Sequence, residues 1–293
     1  MAIVKMSSFN LLAFDSEREN LLHEFQKFNY VHFLNLENDE SLKEIGLCKV
    51  KVPENIVAIN EEVSKVNKGI EILSEYEIKK SGLNALKEGT KTLNFKELEE
   101  RASQVDYNIT CNQVIDLNAK IESLNQDISK IETSIGELNP WTKLDNPIKD
   151  LYSFNHIEVM IGTIPKKLKQ NIESDLVDTE YTYFEILSED KENLYVLIMT
   201  YKDEFDLVKD ILKNNSFTNS KIAIEGEPAS EIAKLNEKIK SLEHEISNCQ
   251  NQLKSLSSEI HNLEIEYEYL MNKKLRLIAS ENFLTTENLN VIK

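Results

Sequence analysis

Residues 232–270 read IAKLNEKIKSLEHEISNCQNQLKSLSSEIHNLEIEYEYL, and this stretch decides the fold. Apolar side chains recur along it at alternating steps of three and four residues. They are Ile232, Leu235, Ile239, Leu242, Ile246, Cys249, Leu253, Leu256, Ile260, Leu263, Tyr267 and Leu270. This spacing forms the a/d stripe of a coiled coil, and we call these twelve residues the seam. Such a stripe is too narrow for a helix that packs on a globular core, so the sequence predicts a partner helix along the whole segment.

The composition limits the kinds of partner. The net charge is −17, and no basic stripe is present that could bind nucleic-acid phosphates or an anionic membrane surface. Acidic residues are concentrated in two segments. Residues 15–44 contain eight acids and three bases, and residues 173–206 contain eleven acids and two bases. These segments favour basic protein partners, although acids can also simply keep a long molecule soluble.

The cysteines indicate the compartment. The chain has an odd number of cysteines, and their spacing is not that of metal ligands; they are Cys48, Cys111 and Cys249. We therefore expect a reducing, cytosolic compartment. No signal peptide is recognised, and no apolar run approaches the length of about 20 residues that spans a bilayer. With only 7 glycines and 5 prolines, the chain is typical of proteins rich in long helices.

The heptad pattern divides the chain into lobes and stalk. Residues 1–52 predict the first part of a proximal lobe, with a strand at 3–14, a helix after Asp15 and a second strand at 30–36. Residues 53–140 predict stalk helices, a short one at 54–81 and a long outgoing one at 95–138. Residues 228–275 predict the returning stalk helix, and 276–293 the last part of the proximal lobe.

Helix lengths identify the partner of the seam. Residues 95–138 would form a helix of about 66 Å, and 229–275 one of about 70 Å, at about 1.5 Å per residue. The outgoing helix carries its own heptad run, Leu117, Ile121, Leu124, Ile128, Ile131, Ile135 and Leu138. An antiparallel hairpin within one chain is therefore the simplest prediction, and a parallel homodimeric zipper is the alternative.

Residues 141–227 predict a distal lobe with the order β-α-β-β-α-β. This order is typical of a ferredoxin-like lobe, and the fold class is α+β, two small lobes joined by a coiled-coil stalk. The predicted strands are His156–Ile164, Tyr181–Leu187, Leu194–Tyr201 and Lys221–Glu225. The predicted helices are Pro165–Ser174 and Asp203–Lys213. Trp141, after Pro140, is expected to pack where the stalk meets the lobe.

The sequence predicts no catalytic, cofactor-binding or metal-binding residues. No glycine-rich phosphate loop is present, and the five histidines show no paired ligand spacing. Gly162-Thr163-Ile164-Pro165 is explained as a strand end, a tight turn and the start of a helix rather than an anion site. We therefore expect a protein that is not an enzyme and that binds no cofactor or small molecule.

Three stretches resemble a known family. The first consists of Met1-Ala2-Ile3-Val4-Lys5-Met6 and Leu11-Leu12-Ala13. It is similar to the start of the cytoplasmic half of subunit a, or I, of V-type/A-type rotary ATPases. Leu138-Asn139-Pro140-Trp141 with 156–165 resembles the junction and first distal strand of that family. Glu281-Asn282-Phe283 with 285–291 resembles the approach to its membrane half. The likeness follows the whole chain in order.

The resemblance implies a non-catalytic stator on the cytoplasmic side of the membrane. Both lobes would hold peripheral-stalk heterodimers, and the full-length protein would continue into a membrane domain that carries protons or sodium ions. The chain ends at Lys293, so we expect a soluble fragment whose proximal lobe has two strands and part of a third at 289–292. The fragment would be monomeric, with a fraying proximal lobe, or would associate weakly with a second molecule through that lobe. The alternatives are a homodimeric coiled-coil scaffold and the hinge arm of an SMC-like, chromosome-organising ATPase.

Overall fold

The computed structural model falls into two compact units, each described by itself. The terminal unit contains 1–119 and 249–293, and the central unit contains 120–248. The residues that the structure describes are 6–28, 30–37, 40–44, 46–50, 55–77, 92–104, 106–286 and 288–293. The predicted residues 3–5, 54 and 78–81, and most of the link at 83–94, lie outside them.

The fold combines long helices with two antiparallel sheets, which confirms the α+β class. The helices are α1 (Arg18–Gln26), α2 (Glu40–Glu44), α3 (Asn55–Ser74), α4 (Phe95–Ala102), α5 (Tyr107–Leu138), α6 (Ile148–Leu151), α7 (Lys169–Asp175), α8 (Phe205–Asn214), α9 (Pro228–Leu256) and α10 (Ile260–Ala279). The strands are β1 (Leu11–Phe14), β2 (Cys48–Lys49), β3 (Ile157–Pro165), β4 (Thr182–Glu189), β5 (Asn193–Tyr201), β6 (Thr218–Asn219), β7 (Leu284–Thr285) and β8 (Leu289–Ile292).

The sheet of the terminal unit differs from the prediction. Its order is β1-β8-β7-β2, and residues 289–292, predicted as part of a third strand, form an interior strand paired on both sides. The strand predicted at 30–36 does not form. With both edges of β8 occupied, this segment is left with isolated bonds, from Leu34 N to the Lys293 carbonyl (2.8 Å) and from Leu36 N to the Asn282 carbonyl (3.1 Å).

Both long predicted helices are interrupted, in each case at a serine. The helix predicted at 95–138 is divided into α4 and α5, and the helix predicted at 229–275 has a 3₁₀ turn at Ser257–Glu259. Ser103 donates its hydroxyl to the Glu100 carbonyl (2.8 Å), and Ser257 donates to that of Lys254 (2.8 Å). Such side-chain bonds compete with the helical backbone ladder, which neither apolar periodicity nor a Gly/Pro search detects. The short helix predicted at 54–81 ends at Ser74.

In the terminal unit, α10 packs against α1, α3 and α4. Helix α3 lies close to both α5 and α10 at Gly69. A Cβ added there would lie 3.3 Å from Cys111 Sγ and 3.3 Å from Leu263 Cδ1. The predicted seam residue Tyr267 is half-buried, and the neighbouring Glu266, which lies outside the predicted seam, is fully buried. A helix surrounded by several others buries a wider stripe than a/d alone, and this stripe includes Glu266.

The central unit contains the sheet β4-β5-β3-β6, the strand order expected of a β-α-β-β-α-β lobe. The predicted hairpin between β4 and β5 forms, because Asp190 Oδ1 accepts the N–H groups of Glu192 (2.8 Å) and Asn193 (2.7 Å). The bond from Asn193, and then that from Glu192, hold the pKa of Asp190 below its usual value.

Two local predictions for this sheet are wrong. The last strand is β6 and not 221–225, because the Glu225 and Gly226 carbonyls accept from the first turn of α6. Residues 162–164 are strand as predicted, but the tight turn and the helix start at Pro165 are absent, since β3 continues through Pro165. Gly162 is required there because a Cβ would collide with the Thr218 carbonyl and the Phe217 ring.

Candidate functional site

The side chains that could carry chemistry are engaged in local structural contacts. Lys166 and Lys169, which follow β3, lie 2.8 and 3.8 Å from the Glu189 carboxylate. Of the histidines, His23 Nε2 lies 2.7 Å from Glu99 Oε1, and His156 stacks on Tyr201. Among the described residues, no three His, Cys, Asp or Glu side chains are grouped closely enough to hold a metal ion. The structure therefore directs attention to its surfaces.

One face of the central sheet is covered by two helices. Residues of β3 and β5 pack there against Ile172 of α7 and against Val208 and Leu212 of α8, all of them buried. Here the β-α-β-β-α-β order places both helices on the same side. This face is closed.

The opposite face is covered along only part of its length. Trp141 is buried there as predicted, its ring edge-on to Tyr195 at 5.3 Å, together with Leu144, Ile148 and Leu151. Ser188 Oγ donates to the Pro140 carbonyl (2.8 Å) and fixes this segment against β4. The covering buries Leu187 and Leu197 and also contacts the partly buried Met199, beyond which the sheet is open.

Three tyrosines occupy the open end. Tyr181 lies opposite Tyr201, and the Tyr201 N–H donates to the Tyr181 carbonyl (3.2 Å). Tyr183 lies opposite Met199. Side chains at i and i+2 of a strand share a face, so these groups form one surface with Ile157, the β3 partner of Tyr201. Tyr181, Tyr183 and Tyr201 are 63%, 53% and 40% exposed. Together they border a shallow depression of about 460 Å³. We call Ile157, Tyr181, Tyr183, Met199 and Tyr201 the tyrosine surface.

The surroundings hold the rings in place and make the site acidic. The Tyr201 ring lies 6.1 Å from that of His156 and 6.5 Å from that of Tyr181. Tyr183 donates its hydroxyl to Glu185 Oε2 (2.8 Å), and this hydrogen bond raises the pKa of Tyr183. The Glu204 carboxylate accepts the backbone N–H groups of residues 180 and 181 (2.9 and 3.0 Å), which anchors the start of β4.

This surface was not among the predictions from sequence. The acidic character of 173–206 was recognised, but the tyrosines were not. The available signal was the alternation of Tyr181 and Tyr183 around the polar Thr182. Their exposure depends on where the covering segment ends, and that is a tertiary property.

A second apolar surface lies on the terminal unit. Leu12 and Phe14 alternate with the buried face of β1 and are 69% and 63% exposed. Phe14 is paired with Leu289 of β8, which is also exposed. The opposite face of the same strands packs on Leu22 and Phe283 in the core. Large apolar side chains grouped on one sheet face are typical of contact sites for other proteins.

The terminal unit also contains a buried acid. Glu266 is 3% exposed. Burial first, and then the negative charge of Glu62, raise its pKa to about 7, while Lys273 acts in the opposite direction. A carboxyl that titrates near neutral pH inside a helical core makes the packing of that core pH-dependent.

Comparison with known proteins gives a match in fold. No protein-family model matches the sequence, and no curated protein matches it. Among solved structures, the chain is similar to the crystal structure of the cytoplasmic N-terminal domain of subunit I, the homologue of subunit a, of V-ATPase. The TM-score is 0.50 at 14% identity, and the match covers 97% of this chain and 92% of that chain. At this identity the likeness shows a shared fold. Across the described residues, no helix is both long and apolar enough to cross a bilayer.

Proposed function

We propose that this chain is a non-catalytic stator component of a proton- or sodium-translocating rotary V/A-type ATPase. The observation that carries the proposal is the fold similarity to the V-ATPase subunit I domain over 97% of the chain. The three sequence stretches that resemble the same family are an independent reason for it. In the full-length protein, the chain would lie on the cytoplasmic side of the membrane and connect to a membrane domain.

The proposed architecture is two lobes joined by an antiparallel coiled coil. The proximal lobe would contain 1–52 and 276–293, the distal lobe 141–227, and the stalk the segments between them. This architecture is supported by the burial of four residues of the outgoing heptad run, Ile121, Leu124, Ile131 and Leu138. Within the central unit, Lys120 of α5 lies 3.4 Å from Glu245 of α9. Paired helices are stiff along their axis, which suits an element that resists rotor torque.

The proposed partners are the peripheral-stalk heterodimers of the same ATPase. The tyrosine surface and the apolar face around Phe14 provide one candidate contact on each lobe. In a direct test, the tagged chain is mixed with the purified heterodimer from its own organism and analysed by size-exclusion chromatography with light scattering. A stable complex is expected, and an unrelated acidic coiled coil of similar size should form none. Failure to bind at micromolar concentrations would overturn the proposal, and an obligate dimer of the chain alone would favour a scaffold.

A further inference from the structure

The tyrosine surface has the properties of a binding site for cationic side chains. The face of a tyrosine ring is electron-rich and attracts a guanidinium or ammonium group that lies within about 6 Å of its centre. Two or more rings on one rigid sheet can receive such a group with little loss of side-chain entropy, because a tyrosine has only two side-chain torsions. Pairing across β4 and β5 positions Tyr181, Tyr183 and Tyr201 in this way.

The charges around the surface strengthen this preference. Glu185 lies on the same sheet face as Tyr183 and is hydrogen-bonded to it, and Glu180 lies at the edge of the depression. The neighbouring base, Lys202, lies 4.0 Å from Glu158. In the described part of the chain, the cation–π contacts are those of Lys209 with Phe205 and of Arg276 with Phe95, so the three tyrosine rings are not used in this way.

The edge of β4 is protected at its covered end, away from the tyrosines. Strand β4 is the outer strand of the sheet, but a bulge between Ile186 and Ser188 disturbs its pairing. Bulges protect outer strands against the addition of another strand. The Ser188 bond to the Pro140 carbonyl also holds the covering segment against this end of β4. At the other end of β4, the exposed side chains of the open face are those of the tyrosines.

We propose that the tyrosine surface binds a basic helix of the partner through Arg or Lys side chains placed over the rings of Tyr181, Tyr183 and Tyr201. This inference rests on the proposed function, because the peripheral-stalk heterodimer supplies the helix. It adds the residues and the chemistry of the contact. Aromatic side chains and arginine are the residue types that dominate binding energy at protein interfaces.

The experiment separates cation–π binding from simple apolar contact. Binding of the purified heterodimer is measured by titration calorimetry for the wild-type chain, for Tyr183→Leu/Tyr201→Leu and for Tyr183→Phe/Tyr201→Phe. The Leu pair keeps apolar area but removes the rings, and it should weaken binding about tenfold or more. The Phe pair keeps the rings and should stay within about threefold of wild type. Glu185→Gln should weaken binding less, and by an amount that falls as salt is added.

Controls make each outcome decisive. Leu207 is 54% exposed on α8, away from the surface, so Leu207→Ala should bind as wild type does. Far-UV circular dichroism verifies that each variant folds. If the wild-type chain binds and the Leu pair binds equally well, or if the Leu and Phe pairs are weakened equally, this inference is wrong while the proposed function stands. If the wild-type chain does not bind, both fall. If the substitutions change only self-association in sedimentation runs, the occupant is a second copy and the inference is again wrong.

Discussion

Replacing Glu266 by Gln should stabilise the terminal unit above neutral pH. Glu266 is buried, and its pKa in the folded protein is about 7 against an ordinary value of 4.5. At about 1.4 kcal/mol per pH unit, the ionised carboxylate destabilises the folded state by up to about 3 kcal/mol. Gln has nearly the same shape and no charge, so it removes this cost while it keeps the volume.

The sign of the pH dependence follows from the raised pKa. Below pH 4.5 the carboxyl is neutral in both the folded and unfolded states, and its stabilising effect is fully present. As the pH rises from 4.5 through about 7, the unfolded state ionises first and stability falls; above about 7 the loss is complete. The difference between Glu266→Gln and wild type should therefore be small at pH 5 and reach roughly 2–3 kcal/mol at pH 8.

Urea denaturation followed by circular dichroism at pH 5, 6, 7 and 8 measures this difference. Glu268 lies on the same helix and is exposed, so Glu268→Gln is the matched control and should give a difference that is nearly constant with pH. The groups around Glu266 are Glu62 of α3, Lys273 of α10, and Tyr107 and Cys111 of α5. An equal difference between Glu266→Gln and wild type at pH 5 and pH 8 would refute the reasoning.

Further substitutions test the packing and one helix cap. Gly162→Ala should destabilise the central unit by about 1–3 kcal/mol in urea denaturation, because the new Cβ meets the Thr218 carbonyl. Gly136→Ala, where nothing lies within 4 Å in a helix, should instead stabilise by about 1 kcal/mol; destabilisation by both would contradict this explanation. Trp141→Ala should cost about 3–5 kcal/mol and lower the melting temperature, whereas an unchanged transition would show that the covering segment does not depend on it. Asn94→Ala removes the capping box of α4 and should cost about 1 kcal/mol, with Asn94→Ser, which keeps an acceptor, close to wild type.

Periodicity predicted the central unit well for a physical reason. Strands β3, β4 and β5 and helices α7 and α8 each begin and end within a few residues of the predicted bounds. Each bears a continuous buried side whose period of two or about 3.6 residues is visible in the sequence. The strand at 221–225 failed because its Ile222 and Ile224 do pack on the Trp141 cluster, but from an irregular segment. Apolar alternation shows that a segment is buried on one side, not that its backbone is in a sheet.

The sheet of the terminal unit was harder to predict because its order depends on distant pairing. Strand β8 joins β1, about 280 residues earlier in the chain, with Leu11 opposite Ile292. Nothing local distinguishes this pairing from the alternative with the apolar segment 30–36. The candidate surface was missed for a similar reason: tyrosines are frequent in strands, and only the extent of the covering segment decides whether they are exposed.

One uninterrupted stripe of apolar residues supports two kinds of packing. Between Ile232 and Ile246 the seam positions of α9 are half-buried and separated by exposed residues, as expected of a narrow contact with one partner helix. Beyond Ser257–Glu259, α10 packs against α1, α3 and α4, and Ile265 and Glu266 are buried beside Leu263 and Leu270. The wider contact places a carboxyl where a narrow seam would leave it in solvent. A charge at this position is therefore a consequence of the number of neighbouring helices, and the heptad repeat alone does not reveal it.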